Sequence, residues 1–323
     1  MDIYSRNISQ FNNQLRFEGL HQSNFEHLKA QHYDVVVVAG MGGSGLPREV
    51  LWGLHREIGL EVPVINWHDY GAPKLSFRNP LYVFISFSGN TEEVISAFHE
   101  VGTHSARAVV TGGGTLFALA EEALVPVVRF AQGALAPRQA TGVMSYALCV
   151  VLQKAMPHVK MPELSTKITP AQFRAKGSVL AKKLKDRIVF IYAPGPLGFL
   201  AHDWKIRINE NAKTPSHAAL LPELDHNEIA GFQTKRFKDK IFVLFLLDKT
   251  TDAHIAKRAK LTQKVLSEYN TGTEVISLAG ATMLEKTWNS ILFAEWTSYF
   301  LAKENGVDPF DTELIEKFKK LMK

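Results

Sequence analysis

Cysteine is almost absent from this sequence. Its 323 residues include a single cysteine, Cys149, which lies in an apolar run. A disulfide framework within the chain and a cysteine-based metal site are therefore both excluded. No neighbouring residue type would lower the pKa of the Cys149 thiol, so we interpret it as a buried structural residue.

Long hydrophobic runs and strong charge of one sign are also missing. No apolar run approaches the ~20 residues of a membrane span, and the first residues lack the basic and then apolar pattern of a secretory signal. The formal net charge of +5 is modest, and Lys and Arg are spread along the chain. We therefore expect a soluble cytoplasmic protein that binds a small anionic molecule and neither nucleic acid nor a membrane.

The rest of the sequence alternates between strand and helix patterns. Apolar runs predict strands at 34–39, 63–67, 81–86, 107–110, 125–130, 187–192, 240–247 and 274–278. Helical patterns lie between them, and glycine-rich turns follow several of the strands. This alternation predicts an α/β protein with two mainly parallel sheets, each flanked by helices.

A proline-bearing segment at residues 157–170 interrupts the alternation. We predict a linker there, between an N-terminal domain of residues 1–156 and a C-terminal domain of residues 171–323. Helical spacing within residues 1–30 predicts one or two helices packed on the outside of the first domain.

A glycine-rich turn, GMGGSG at residues 40–45, follows the first predicted strand and precedes a predicted helix. Glycines let backbone N–H groups approach an anion closely, and a helix N-terminus adds a favourable dipole. A plain tight turn would have the same composition. A dinucleotide site is disfavoured because the spacing is GxGGxG rather than GxGxxG, and no acidic residue ends the next strand.

The segment SFSGNT at residues 86–91 is a sharper signal. It places the hydroxyls of Ser86, Ser88 and Thr91 between a buried strand and a helix. Hydroxyls beside helix N-terminal amides suit a phosphate monoester. Ordinary helix capping by Ser88, Asn90 or Thr91 is the alternative. We favour phosphate binding because Ser44 also follows a parallel strand.

Two later polar segments, NENAK at 209–213 and PELDHNE at 222–228, supply a carboxylate, Glu210, and an imidazole, His226. Our hypothesis is that they act as base and acid on a bound phosphosugar. A Glu late on a helix is more often a solvated charge. Several residues compete for these two roles: Glu223, Glu228, His68, His202 and His217.

Together these motifs and APR at 136–138 resemble the bifunctional phosphoglucose/phosphomannose isomerases, which are built from sugar isomerase (SIS) domains. The resemblance runs in order from about residue 34 to the C-terminus. It implies interconversion of glucose 6-phosphate or mannose 6-phosphate with fructose 6-phosphate, as in glycolysis and gluconeogenesis. It also implies two SIS domains, no cofactor or metal, and a homodimer with active sites at the subunit interface.

The resemblance further implies a role for individual residues. The sugar phosphate would be held by Ser44, Ser86, Ser88 and Thr91, with Gly43 also contacting the substrate. Arg138 would lie near C1–C2, Glu210 would transfer the proton, and His226, reaching into the neighbouring subunit, would open the sugar ring. The C-terminal helix would add Thr312, which favours acceptance of both epimers, and Lys319, with Lys317 and Lys320 as alternatives.

These roles fit the chemistry of aldose–ketose isomerisation. One carboxylate can carry a proton between C2 and C1 through a cis-enediolate, and an imidazole titrates in the range needed for ring opening. A guanidinium such as that of Arg138 can stabilise the enediolate without losing its charge. Taken alone, Arg138 could equally be a surface cation.

Two other functions are compatible with part of the pattern. A non-catalytic sugar-phosphate sensor would keep the phosphate-binding residues and could dispense with Glu210, Arg138 and His226, but no effector domain is recognisable. The isomerase part of a glucosamine 6-phosphate synthase would accompany a glutaminase with a leading cysteine, of which the sequence shows no sign. We therefore favour the isomerase.

Overall fold

The computed structural model describes residues 1–103, 105–234, 237 and 239–322. They form two compact units, residues 10–168 and residues 1–9 with 169–323. Each unit holds a parallel-dominated sheet flanked by helices, which confirms the predicted fold class. We call the two sheets sheet A and sheet B.

The strands are numbered in chain order. They are β1 (His21–Ser23), β2 (Val35–Ala39), β3 (Val64–Trp67), β4 (Pro80–Ser86), β5 (Ala106–Thr111), β6 (Val127–Arg129), β7 (Ile188–Pro194), β8 (Ser216–Leu221), β9 (Ile241–Leu247) and β10 (Gly272–Ser277).

The α-helices are numbered in the same way. They are α1 (Ile3–Ser9), α2 (Leu46–Gly53), α3 (His55–Ile58), α4 (Glu92–Glu100), α5 (Gly114–Glu122), α6 (Thr141–Ala155), α7 (Arg174–Leu184), α8 (Gly198–Ala212), α9 (Ala253–Glu268), α10 (Met283–Glu304) and α11 (Glu313–Met322).

Sheet A lies in the unit of residues 10–168 and has the strand order β1-β6-β5-β4-β2-β3. Strands β2 to β6 are parallel, and β1 is antiparallel to β6. Every residue of β2 is buried, as expected for a β-branched strand covered on both faces. The sequence did not predict β1, whose three residues are polar and mostly exposed.

Sheet B lies in the other unit and has the order β10-β9-β7-β8, with all strands parallel. Strand β8 was not predicted. It lies at the edge of the sheet, and only Leu221 of its six residues is buried. An edge strand with polar Ser216 and His217 lacks the continuous apolar run on which the other strand predictions depended.

The first nine residues depart from the predicted domain boundaries. Tyr4 is buried, stacks on Tyr299 and donates a hydrogen bond from its hydroxyl to Glu295. Helix α1 therefore packs in the unit of residues 169–323, and the expectation that it packs on the first unit is wrong. Tyr4 finds its partners on α10 and at Phe310.

The predicted linker departs from the structure as well. Val159 and Leu164 are buried, and backbone bonds join Lys160 N to the Ile58 carbonyl and Leu164 N to the Leu15 carbonyl. Residues 157–168 therefore belong to the first unit. The proline-bearing segment is therefore packed and is not a free connection.

Two features agree with the composition. Among the described residues, no helix has the length and apolar character needed to cross a membrane. Cys149 is buried in α6, and burial raises the pKa of its thiol to about 12.

Candidate active site

The clearest candidate site lies at the carboxyl edge of sheet A. Strands β2 and β4 are parallel neighbours, and residues 40–45 and 87–91 follow their C-terminal ends. The chain order reverses at this pair, because β3 and β4 lie on opposite sides of β2. Ligands of open α/β sheets bind in the crevice that such a reversal creates.

Hydroxyl groups from both loops meet in this crevice. Ser86 Oγ lies 2.8 Å from Thr91 Oγ1 and accepts a 3.0 Å hydrogen bond from Gly89 N. Ser44 Oγ accepts a hydrogen bond from Phe87 N at 3.0 Å. Ser86 and Thr91 are thus in direct contact, and Ser44 is tied to them only through the backbone of Phe87. We call these three residues the hydroxyl cluster.

Ser88 is placed differently. Its side chain is exposed and its Oγ accepts a 3.2 Å hydrogen bond from Asn90 N. This bond shapes the loop locally, and Ser88 does not join the cluster formed by the other three hydroxyls. Its predicted contact with phosphate remains a prediction.

The N-terminus of α4 has no side-chain cap. Thr91 occupies the N-cap position but makes no capping bond to the helix amides, because its hydroxyl faces Ser86 instead. An uncapped helix N-terminus presents N–H donors and a favourable dipole to an anion. Of the two predicted explanations for this loop, anion binding fits the geometry better than capping.

Glycines allow the loops to approach one another. Gly89 has φ +69°, and a Cβ there would lie 1.7 Å from the Gly113 carbonyl oxygen. A Cβ at Gly43 would lie 2.7 Å from the backbone nitrogen of Arg138. Gly43 therefore brings the Arg138 segment against the 40–45 loop.

Arg138 is 1% exposed. The alternative of a surface cation is therefore wrong. Its guanidinium is buried in the same unit as the hydroxyl cluster, where a fixed positive charge acts more strongly than in water.

Two residues that support the 86–91 loop were not predicted from the sequence. Thr111 ends β5 and donates from its hydroxyl to the Ser86 carbonyl at 2.8 Å, and the Gln132 side-chain amide donates to the Phe87 carbonyl. Both hold the backbone of the 86–91 loop. A hydroxyl at the end of the neighbouring strand, beside GGG at 112–114, was the available signal for Thr111.

Glu210 lies in the other unit, near the end of α8. It is partly buried and lines a groove of about 400 Å³ together with Lys213, Thr214 and Thr312. Lys213 Nζ donates to the Glu210 and Asp308 carbonyls at 2.8 and 2.7 Å, which ties the end of α8 to the segment before α11. The structure therefore brings Glu210 and Thr312, two predicted site residues, into one groove.

Helix α8 is fixed against α10 by a buried charged cluster. Arg207 donates to both carboxylate oxygens of Asp203, at 2.7 and 2.8 Å, and pairs with Glu295. Burial lowers the pKa of Arg207, but the two carboxylates outweigh that effect and the pKa is raised. Asn211 continues the same helix face and donates to Ser298 at 2.8 Å. The helix that carries Glu210 is thereby held in place.

His226 follows β8 on a 3-10 turn, Glu223–His226. Leu224 is buried, and Asp225 is held by the Thr262 hydroxyl at 2.7 Å and by Arg258 at 3.2 Å. His226 itself is exposed. The turn is anchored by its two preceding residues and presents the imidazole to solvent.

The structure does not bring Glu210 and His226 of one chain together. Helix α8 runs antiparallel to the strands, so Glu210 lies beside Thr214 and Pro215, just before β8 begins. His226 follows the end of β8. A six-residue strand separates its two ends by about 20 Å.

The competing residues have other partners. Glu228 accepts from the Tyr192 hydroxyl at 2.7 Å and lies 3.4 Å from His217 Nε2. Glu223 is exposed and accepts from the Asn227 amide at 2.9 Å. These contacts shape the turn after β8, and they weaken the case for Glu223, Glu228 and His217 as the acid–base pair.

Lys319 lies on α11, is exposed and pairs with Glu316 at 2.7 Å. Lys317 and Lys320 are exposed on the same helix. The choice among the three lysines therefore stays a prediction. Within the described residues, no group of three or more His, Cys, Asp or Glu side chains has an arrangement that could hold a metal ion.

Comparison with known proteins matches residues 173–322 to the family model of the bacterial phospho-glucose isomerase C-terminal SIS domain. The chain is 30% identical to a bifunctional phosphoglucose/phosphomannose isomerase of Caldicellulosiruptor bescii, over 91% of each chain. It is 29% identical to the Aquifex aeolicus protein of the same name, over 90% of this chain and 91% of that one.

A solved structure shows the same fold. Glucosamine-6-phosphate deaminase from Thermotoga maritima superimposes with a TM-score of 0.67 at 16% identity, covering 95% of this chain and 96% of that chain. The resemblance to the isomerase family, predicted from the sequence motifs, is confirmed by the relatives.

Proposed function

The chain belongs to the family of bifunctional phosphoglucose/phosphomannose isomerases, and we propose that it interconverts glucose 6-phosphate, mannose 6-phosphate or both with fructose 6-phosphate. The observation that carries this proposal is the hydroxyl cluster of Ser44, Ser86 and Thr91 at an uncapped helix N-terminus. We propose a cytoplasmic enzyme that serves glycolysis and gluconeogenesis.

The phosphate would bind at the carboxyl edge of sheet A. Ser44 Oγ accepts the Phe87 N–H, so the hydroxyl hydrogen of Ser44 remains to donate to a phosphate oxygen. The first-turn amides of α4 supply further donors, with Gly43 and Ser88 at the edge of the site. Neutral donors and a helix dipole stabilise a phosphate dianion without a metal.

In the proposed reaction Glu210 removes the proton from C2 of the open-chain aldose and returns it to C1. The intermediate is a cis-enediolate, whose negative charge the Arg138 guanidinium would stabilise. Thr312 shares the groove of Glu210, which supports its role in setting specificity, and Lys319 would contact the substrate from α11. No metal takes part in this scheme.

His226 would open the sugar ring in the active site of a second subunit. Within one chain, Glu210 and His226 lie at opposite ends of β8. The exposed His226 is therefore available to a neighbouring copy, and we propose a homodimer with active sites at the subunit interface. In a dimer with two-fold symmetry, each of the two active sites would then contain Glu210 of one subunit and His226 of the other.

The reaction is tested by incubating the protein with fructose 6-phosphate in the presence of a chelator and measuring both aldose products. Glu210→Gln should lower kcat by about 1,000-fold with KM nearly unchanged, whereas Glu223→Gln, the control, should keep its activity. Binding of fructose 6-phosphate without turnover by the wild type would favour the sensor. An active Glu210→Gln variant would reject the proposed base.

The shared site is tested by mixing two inactive variants. Glu210→Gln and His226→Ala subunits, unfolded and refolded together, should regain about one quarter of the wild-type activity, because half of the dimers are mixed and each has one intact site. No recovery would place Glu210 and His226 in the same subunit's site. His226→Ala should also affect the cyclic substrate more than the open-chain form.

A further inference from the structure

One histidine in the unit of residues 10–168, His68, has no role in the proposed reaction. His68 directly follows β3, at the same carboxyl edge of sheet A as the 40–45 loop. Its Nδ1 lies 2.7 Å from the Gly40 carbonyl oxygen. We propose that His68 is a positioning residue that sets the shape of the phosphate-binding loop, and this proposal rests on the function proposed above.

The tautomer of His68 follows from its two neighbours. A carbonyl oxygen can only accept, so the hydrogen is on Nδ1, which donates to Gly40. The other ring nitrogen, Nε2, contacts the side-chain amide nitrogen of Asn66, and in a neutral imidazole it accepts that hydrogen bond. Both ring nitrogens are therefore engaged by the protein.

The ring also limits the space beside the loop. A Cβ at Gly45 would lie 3.1 Å from His68 Cε1, so the ring edge lies against the Gly45 backbone. On the other side, Gly40 N donates to the Trp67 carbonyl at 3.3 Å. Both polar groups of Gly40 are thus held by the end of β3.

This contact controls an amide that could bind phosphate. The Gly40 carbonyl and the Met41 N–H belong to one planar trans peptide and point in opposite directions. Fixing the carbonyl toward His68 therefore fixes the direction of the Met41 N–H. Across the described residues, the N–H groups of Met41 and Gly42 donate no hydrogen bond to the protein, which leaves both for a ligand.

The test compares two amide substitutions of the imidazole. An Asn side-chain nitrogen occupies nearly the position of histidine Nδ1, whereas a Gln nitrogen occupies nearly that of Nε2. His68→Leu and His68→Gln should raise KM for fructose 6-phosphate and Kd for inorganic phosphate by about 3- to 10-fold, the range for one lost hydrogen bond, with kcat within about twofold. His68→Asn should restore both constants.

His55 offers a matched control in the same unit. Its Nδ1 contacts the Trp52 carbonyl at 2.6 Å, but it lies on α3 rather than beside the loop. His55→Leu should leave KM and Kd unchanged, which separates loop positioning from a general loss of stability. Melting temperatures of all variants are measured in parallel.

The other outcomes are equally informative. Unchanged KM and Kd in His68→Leu would overturn the proposal, and so would rescue by Gln but not Asn, since the Nε2 position, and not the Nδ1 contact with Gly40, would then matter. A wild-type protein that neither binds nor converts fructose 6-phosphate would instead reject the proposed function. If the wild type binds inorganic phosphate, the effect of His68→Leu on its Kd still tests the positioning role.

Discussion

Sheets A and B share the order of four parallel strands and differ in the loops that follow these strands. The order β5-β4-β2-β3 in sheet A corresponds, strand for strand, to β10-β9-β7-β8 in sheet B. In sheet A the crevice lies between the loops after β2 and β4. The equivalent crevice in sheet B lies between the loops after β7 and β9.

The chemistry of the second crevice is unsuited to phosphate. Asp252 caps α9, accepting from His254 N at 2.8 Å and Ile255 N at 3.3 Å. Asp248, which directly follows β9, is buried and paired with Lys286 at 2.9 Å. The groove beside them has about 330 Å³ and is lined largely by apolar and proline residues.

The difference shows that the shared strand order creates a crevice in each sheet, whereas the side chains around the crevice determine whether it suits an anion. In sheet B the helix amides and the buried cation are already satisfied by carboxylates of the protein, so an anion would meet negative charge. In sheet A the corresponding hydroxyl, Thr91, leaves the amides of α4 unoccupied. Substitutions that alter either arrangement therefore test the difference between the two crevices.

The largest effect is expected when a carboxylate cap like that of α9 is introduced at the equivalent position before α4. Thr91→Asp should cap α4 with a carboxylate and raise KM for fructose 6-phosphate by about 1,000-fold, because like charges brought together cost several kcal/mol. The free energy of unfolding, measured with urea, should stay the same or rise. Thr91→Asn, a neutral cap of similar size, is the control, and a normal KM in Thr91→Asp would place the phosphate elsewhere.

Lys286→Met should leave the Asp248 carboxylate buried without its cation. We expect the free energy of unfolding to fall by about 3 kcal/mol, as for other broken buried pairs. Urea titrations at neutral pH measure this change. The double variant Lys286→Met/Asp248→Asn should recover part of it, and an unchanged stability in the single variant would show that the pair is unimportant.

The same pair predicts a pH dependence. Burial raises the pKa of Asp248, but hydrogen bonds from Lys286 and Thr250 outweigh burial and lower it to about 2, from 3.8. A carboxylate whose pKa is lower in the folded state than in the unfolded state stabilises the folded state. This stabilisation is complete above the unfolded pKa and is lost as the pH falls from 3.8 toward 2. Asp248→Asn should flatten the stability curve in that window, and an equally steep curve would contradict the assignment.

Gly89→Ala should distort the 86–91 loop, because its Cβ would overlap the Gly113 carbonyl at a positive φ. We expect substrate binding to weaken by about 2 kcal/mol, or roughly thirtyfold in KM. Gly195 begins the 3-10 turn that follows β7 in sheet B, and apart from its chain neighbours no atom of the described residues lies within 4 Å of a Cβ built there. Gly195→Ala should therefore leave KM unchanged, and equal effects of the two substitutions would remove the distinction between the loops.

The smallest effect is expected at the cap of α9. Asp252→Ala should lower the free energy of unfolding by about 1 kcal/mol, the usual cost of a lost N-cap. The kinetics with fructose 6-phosphate should not change, because the proposed phosphate site lies at sheet A. A change in KM larger than the change in stability would show that sheet B contributes to binding.

The sequence predicted the features of the two sheets unevenly. Buried strands such as β2 and β4 were found because β-branched runs covered on both faces leave a clear pattern. The hydroxyl loops were found because their residue types are unusual at strand ends. Edge strands β1 and β8 were missed, since half-exposed polar strands carry no such pattern.

Contacts between residues far apart in the chain could not be predicted from the sequence. No local signal assigns Tyr4 to a position beside Glu295, or shows that Thr91 turns to Ser86 instead of capping its helix. The separation of Glu210 from His226 depends on β8, and with that strand unpredicted the distance between them could not be estimated. His68 was only one of several alternatives to His226, and the sequence could not show its contact with Gly40.

Helix α1 has a consequence for the synthesis of the protein. Its partner Glu295 lies 291 residues later in the chain, so about 15–60 s of translation separate the two at ordinary ribosomal rates. Residues 10–168 emerge complete during that interval and have their own core. The unit that contains Glu210 can close only after α10 has been synthesised, so it matures later than residues 10–168.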